Sequence, residues 1–265
     1  AYEISPRDWS SDVCSSDLFI ERNMDKPFFL FLATHDIHVP RVPHPRFAGK
    51  SGMGPRGDCI LEFDDTVGKV LNTLDRLGLA RDTMVMLTSD NGPVLDDGYK
   101  DDAVEKLGAH KPAGPWRGGK SSMFEGGARV PHLVRWPAAI GGNTVSDAPF
   151  SQVDMLASLA SLCGAKVPPG ATPDGRDHSK VLLGADKAGR EVVVQQAAGL
   201  AIRQGAWKYI EPRNGPAKFA NTNTESGNAP KGQLFNLGED PGETDNRIAR
   251  DPERAKAMAK QLESI

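Results

Sequence analysis

Met84-Val85-Met86-Leu87-Thr88 is a short apolar run that stops abruptly at Ser89-Asp90-Asn91-Gly92, a polar group closed by a glycine. Five residues of this kind, bounded by turn signals, read as a strand buried on both faces. Upstream, Ile60, Phe63, Val67, Val70, Leu71, Leu74 and Leu77 recur three or four apart, which predicts a helix over Asp58–Leu77 with its apolar side on one face. Gly78 ends it. Further upstream Phe28–Ala33, F-F-L-F-L-A, is expected to be another buried strand. Downstream, residues 93–130 are rich in glycine, proline and charge and lack sustained periodicity, so they read as a long excursion over the mouth of a sheet. His132–Trp136 is a third strand candidate, and Ser151–Leu162 a helix with Ser151 as N-cap and Gly164 at its end. Strand and helix in alternation predict an α/β layered domain.

Beyond about Arg190 the texture changes to short strand candidates at Val192–Gln196, Ala201–Arg203, Trp207–Ile210 and Leu234–Leu237. Gly205-Ala206 falls between two of them and suggests a hairpin. A last helix begins at Asp251 with Pro252 in its first position, and Ala255, Met258 and Leu262 mark its inner face. The expected division is therefore a leader over residues 1–18, an α/β part over 19–189, and a small antiparallel sheet with one helix over 190–265. The leader is set apart because Arg7–Leu18 repeats S-S-D and has neither helical nor strand periodicity; it reads as non-native or disordered.

Composition excludes several classes. The chain has 265 residues, 25% of them charged, and a net charge of -3, without the basic excess that nucleic acid demands. No run approaches the ~18 apolar residues of a membrane span. Cys14, Cys59 and Cys163 lie far apart and none sits in a C-x-x-C spacing, so neither a zinc site nor a disulfide framework is indicated.

Asp90 and Asn91 follow a strand at the edge of an α/β sheet where ligands bind, and both offer oxygen to a hard cation such as calcium. A plain turn uses the same residues. A second cluster follows the excursion: Arg117-Gly118-Gly119-Lys120, then Phe124-Glu125-Gly126-Gly127-Ala128-Arg129-Val130-Pro131. Glu125 reads there as a backbone-capping or structural ion-pairing residue, and Arg129 as structural too. The S-D-N-G strand end followed by G-K-x-x-x-x-E-G-G-x-R-V-P resembles the type I, formylglycine-dependent sulfatases. The likeness extends to Asp36-Ile37-His38-Val39-Pro40, Trp207-Lys208-Tyr209, Leu234-Phe235-Asn236-Leu237 and Asp240-Pro241-Gly242-Glu243, and so covers nearly all of the chain from Lys26.

That resemblance implies an αβα sandwich around a mixed, mostly parallel sheet of the alkaline phosphatase type, incomplete here, with a small C-terminal antiparallel subdomain. It implies sulfuric ester hydrolysis by a formylglycine nucleophile with one calcium ion, in a secreted or periplasmic parent. Carried over by motif, Asp90 and Asn91 become calcium ligands, Lys120 the cation on a sulfate oxygen, and His38 the group at the bridging oxygen. His35 competes with His38, but only His38 has the following x-Pro spacing. The family's cysteine-x-proline/alanine-x-arginine motif and further metal aspartates are expected in a preceding segment, since Cys14 is followed by Ser15-Ser16-Asp17. The polar excursion, with Asp96, Asp97, His110, Lys111 and Trp116, suits sugar hydroxyls better than an aryl slot, so a sulfated glycan is the expected substrate, ahead of an aryl sulfate, with His110 and Arg117 as contacts. A phosphodiesterase or phosphonate hydrolase of the same superfamily, or a non-catalytic carbohydrate-binding fragment, are the alternatives.

Overall fold

The leader is helical from Trp9 onward, against expectation. Helix α1 spans Trp9–Asn23, and the computed structural model describes residues 9–265, with side chains from Ser16; the first eight residues of the expected leader lie outside the described residues. Serine- and aspartate-rich sequence has little intrinsic helicity, so tertiary contacts hold this helix. Ile20 and Ser16 are buried, Thr73 Oγ1 donates to Asp17 Oδ1 at 2.9 Å, and Arg76 pairs with Glu21 at 2.6 Å.

The chain divides into two compact units that interleave in sequence. The first takes the chain up to Val85, with Leu95–His110 and Trp136–Ala138; the second is Met86–Val94, Lys111–Arg135 and Ala139–Ile265. In the first, α1 packs on α2 (Gly54–Arg76), which opens with proline in its first turn. The apolar face predicted for α2 is only half buried apart from Leu74, while Asp58, Cys59, Glu62, Thr66 and Thr73 are buried. Hydrogen bonds explain the reversal: Asp58 accepts from the backbone of Gly49 and Ser51 at 2.8 and 2.9 Å, and Glu62 from His44 at 3.0 Å. Arg41 is buried between Asp97, at 2.9 Å, and Asp101, at 2.7 Å, which anchors the start of the excursion. Phe28–Ala33 forms no strand. No described residue of this unit pairs with it, and Phe29 and Phe31 are 75% and 80% exposed.

In the second unit β1 (Val85–Thr88) pairs with β2 (His132–Arg135). The short helix α3 (Glu125–Ala128) precedes β2. A 3-10 turn over Gln152–Asp154, capped reciprocally by Ser151 and Asp154, leads into α4 (Met155–Leu162). The helix α5 (Ser179–Leu182) follows. Asp154 is fully buried and accepts from Arg190 Nε and Nη2 at 2.6 and 2.7 Å.

The C-terminal part is as predicted to within a residue or two: β3 (Val192–Gln196), β4 (Leu200–Gln204), β5 (Trp207–Ile210) and β6 (Gln233–Asn236) form an antiparallel sheet in chain order. Gly205 makes the β4–β5 turn at φ +57°. Alternation sends Ile202, Tyr209 and Leu234 to one face, against Ala255, Met258 and Leu262 of α6 (Pro252–Glu263), whose N-cap is Asp251. Ala201, Ile210 and Phe235 go to the other, against Met123 and Phe124 of the motif run.

Lys208 also belongs to that second face, and it is 1% exposed. Its ammonium lies 3.0 Å from Glu125 Oε1 and 3.3 Å from Glu243 Oε1. Burial works against the charge on Glu125, yet Lys208 and Arg129 outweigh it and hold that carboxyl below its ordinary range. Glu243 goes the other way: burial pushes it up to about 7, with Lys208 only partly opposing.

Two stability measurements follow from these buried charges. Arg190→Ala leaves the Asp154 carboxylate with only backbone donors, and urea unfolding should show a loss of about 3 kcal/mol. The Glu243 pKa lies above its unfolded value, so its contribution is complete below about pH 4.5 and is lost as pH rises through about 7. Unfolding free energy measured across that window should fall by on the order of 3 kcal/mol, and Glu243→Gln should flatten that slope.

Candidate active site at the end of strand β1

Strand β1 delivers Asp90 and Asn91 two and three residues past its last residue, Thr88. Asp90 is exposed, and the Asn91 amide nitrogen donates to Asp90 Oδ1 at 3.1 Å and to the Gly92 carbonyl at 3.3 Å. The two side chains thus share one small volume. Gln152, in the turn before α4, donates to the Ser89 carbonyl and braces the strand end from the side.

The motif run is locked to that strand end backbone to backbone. Gly92 N–H donates to the Gly127 carbonyl at 3.0 Å, and Lys120 N–H donates to the Pro93 carbonyl at 3.0 Å. Glycine is required at these approaches. A Cβ on Gly92 would stand 1.8 Å from the Gly126 carbonyl oxygen, one on Gly119 2.3 Å from that of Pro93, and one on Gly127 2.2 Å from that of Ser122. None of those contacts is open to a side chain, because the opposing atoms are backbone. The glycines of G-G-K and E-G-G therefore let two segments, some thirty residues apart in sequence, meet at van der Waals distance.

Lys120 is half buried, and no described residue pairs with its ammonium. Asp90, Asn91 and Lys120 all belong to the second unit, with the Lys120 backbone fastened two residues beyond Asn91. His38 and His110 belong to the first unit, and both are exposed. His38 Nδ1 lies 2.9 Å from the Val39 carbonyl, an arrangement that puts the ring proton on Nδ1 and leaves Nε2 as the other ring nitrogen; the His35 ring stands 6.2 Å away.

Arg117 has a structural duty in place of the free guanidinium that a substrate contact needs. Nε and Nη2 donate to the two carboxylate oxygens of Glu225 at 2.9 and 2.7 Å, Nη1 donates to the Glu243 carbonyl at 2.7 Å, and the guanidinium lies 4.0 Å over the Phe124 ring. Glu125 and Arg129 are paired at 2.6 Å, with Arg129 over Trp116, as expected of structural ion-pairing residues.

Asp90 and Asn91 fit part of a calcium shell: a carboxylate and an amide oxygen are hard ligands, and the ion takes six to eight oxygens. Coordination would turn the amide so that Oδ1 replaces Nδ2 beside Asp90. Among the described residues Asp36, Cys59 and Glu62 also bring one ligand atom each to within 4.8 Å of one another. That group fits calcium poorly. Sulfur is a soft donor, and burial, reinforced by the carboxylates of Asp36 and Glu62, pushes the Cys59 thiol up to about 12, so that it stays protonated.

Reading by sequence missed the roles of Lys208, Gln195 and Glu243. A signal was present: Lys208 interrupts an otherwise apolar strand, Trp207–Ile210, and a charge there has to meet a partner.

The family model described as Sulfatase matches residues 15–165. An N-acetylgalactosamine-6-O-sulfatase of Bacteroides thetaiotaomicron is 50% identical over 249 residues, which are 93% of this chain and 48% of that protein. Human arylsulfatase A is 32% identical over 264 residues, 92% of this chain and 49% of that one. The chain thus spans about half the length of these curated relatives. Among solved structures, a Bacteroides thetaiotaomicron sulfatase from work on the metabolism of multiple glycosaminoglycans superposes with a TM-score of 0.92 at 49% identity, covering 95% of this chain and 53% of that one. The PsFucS1 sulfatase from Pseudoalteromonas sp. gives 0.76 at 27%, with 95% and 51% covered. With its α/β elements laid out as in these structures, the chain belongs to the sulfatase family.

Proposed function

We propose that the end of β1 is part of the active site of a sulfuric ester hydrolase that removes sulfate from a glycan, with calcium as the metal. The observation that carries this reading is the fastening of Lys120 to the residues just after Asp90–Asn91, which brings a free ammonium and a pair of hard oxygen ligands into one structural element. A calcium ion held by Asp90 and Asn91, with ligands from outside this chain, would polarise the sulfate oxygens. Lys120 meets the charge that develops on the sulfuryl group. At about 4 Å an ammonium contributes on the order of 4 kcal/mol at an effective dielectric near 20, before desolvation is subtracted. His38 acts in its doubly protonated form: Nδ1–H stays on the Val39 carbonyl and the Nε2 proton passes to the leaving sugar oxygen, which leaves a neutral ring. His110 contacts the sugar. In this reading residues 19–189 carry the catalytic groups, residues 190–265 form a supporting subdomain, and the parent works outside the cytoplasm. Among the described residues no helix is long and apolar enough to cross a membrane.

A hexosamine 6-sulfate is the substrate to try first, since the relative that is 50% identical is an N-acetylgalactosamine-6-O-sulfatase. No cysteine of this sequence is followed by the x-proline/alanine-x-arginine maturation pattern, so the purified 265-residue chain should release no sulfate from 4-nitrophenyl sulfate or from 6-sulfated N-acetylgalactosamine. A chimera that joins this chain to the part of that relative which it does not match should release it, and should lose activity to a calcium chelator. In the chimera Lys120→Ala should lower kcat about 100-fold or more, with KM and melting temperature little changed. An unchanged kcat with a lowered melting temperature would move Lys120 to a structural role.

A further inference from the structure

Three motifs that play no direct part in the chemistry above, W-K-Y, E-G-G-x-R and D-P-G-E, meet at one atom. Lys208 Nζ stands 3.0 Å from Glu125 Oε1, 3.0 Å from Gln195 Oε1 and 3.3 Å from Glu243 Oε1. Taking an ammonium out of water costs several kcal/mol, and a buried ion pair is weak evidence of stabilisation. Apolar neighbours on the same sheet face, Ile210 and Phe235, show what a residue there does when packing alone is at stake. The charge therefore serves to fix direction.

Two branches leave that ammonium. In one, Lys208 holds the Glu125 carboxylate at the start of α3 while Glu243 Oε2 accepts the Glu125 N–H at 2.7 Å, so the turn is clamped at side chain and backbone together. From there Gly126 N–H donates to the Arg117 carbonyl at 2.7 Å and the Gly127 carbonyl receives Gly92 N–H, next to Asn91. In the other, Lys208 claims the Gln195 amide oxygen and so obliges the amide nitrogen to face the opposite way, where it donates to the Ser122 and Phe124 carbonyls at 2.7 and 3.2 Å. Those residues stand two and four positions after Lys120. One cation thus orients both the metal-ligand end of β1 and the loop that presents Lys120.

We propose that Lys208 is a positioning residue for this site: it touches neither substrate nor metal, and it sets the register between the Asp90–Asn91 strand end and Lys120. The claim rests on the reading of that strand end as the active site, but its test needs no turnover and so can fail separately from it.

Amide hydrogen exchange resolved by NMR on the 265-residue chain reads the two hydrogen bonds concerned, Gly92 N–H to Gly127 and Lys120 N–H to Pro93. In Lys208→Met both amides should exchange at least tenfold faster, while those of Val193, Ile202 and Met258 keep their rates. Equal acceleration at all five would mean that Lys208 only stabilises the fold, and no change at Gly92 and Lys120 would mean that it positions nothing; either overturns the proposal. Gln195→Leu cuts a single branch and covers the case in which Lys208→Met fails to fold. It should speed exchange at Lys120 and leave Gly92 as it was, and an unchanged Lys120 amide there would overturn the proposal equally.

Discussion

A single ammonium enclosed by protein oxygens ties together the sheet and loops of the second unit. Lys208 projects from the inner face of a four-stranded sheet, where its neighbours in the alternation are apolar, and gathers Glu125 and Glu243 from two separate loops. Two carboxylates and one buried cation leave a negative excess, and the structure answers it with Arg129 on Glu125 and with the rise of Glu243 towards neutrality. Around that centre the motif run can be short of apolar residues and still be rigid. Met123 and Phe124 are the apolar side chains by which it enters the core cluster on that face; the rest of its definition comes from hydrogen bonds and glycine contacts.

The first unit follows the same preference for polar order. Arg41 between Asp97 and Asp101, Asp58 over two backbone amides, and Glu62 under His44 are all buried charged groups, the last two on the helix whose apolar face was expected inside. Charge-assisted bonds are directional, so a unit built on them keeps its loops in one conformation even where its apolar helix face is only half covered.

Legibility in the sequence divides along the same line. The C-terminal sheet and α6 could be read almost residue by residue, because alternation, a glycine turn, an aspartate N-cap and a proline in the first turn all pointed the same way. The end of β1 was legible for the same reason. Three things were not. Helix α1 has no periodic apolar face and exists through contacts that sequence spacing does not display. Phe28–Ala33 has the composition of a strand, but a strand is defined by its partner, and composition does not supply one. The buried face of α2 was mistaken because periodicity reports where apolar residues lie and says nothing of which carboxylates will find backbone amides. At the candidate site the position of Asp90 and Asn91 just past a strand was readable from the sequence, and the pairing of Arg117 was not: a guanidinium beside a glycine pair looks the same in sequence whether it awaits an anion or already holds Glu225.

The glycine contacts at positions 92, 119, 126 and 127 carry a consequence for descent. Since the frame of the site is backbone resting on backbone, its shape does not depend on the side chains of its neighbours, and selection can redraw those side chains without moving the frame. The stretch from Val94 to Trp116, by contrast, consists mostly of exposed or half-exposed residues. Side chains there can be replaced without disturbing the backbone contacts of the frame. The four glycines, which have no tolerated neighbours in the genetic code, would record common ancestry long after the side chains around them had changed.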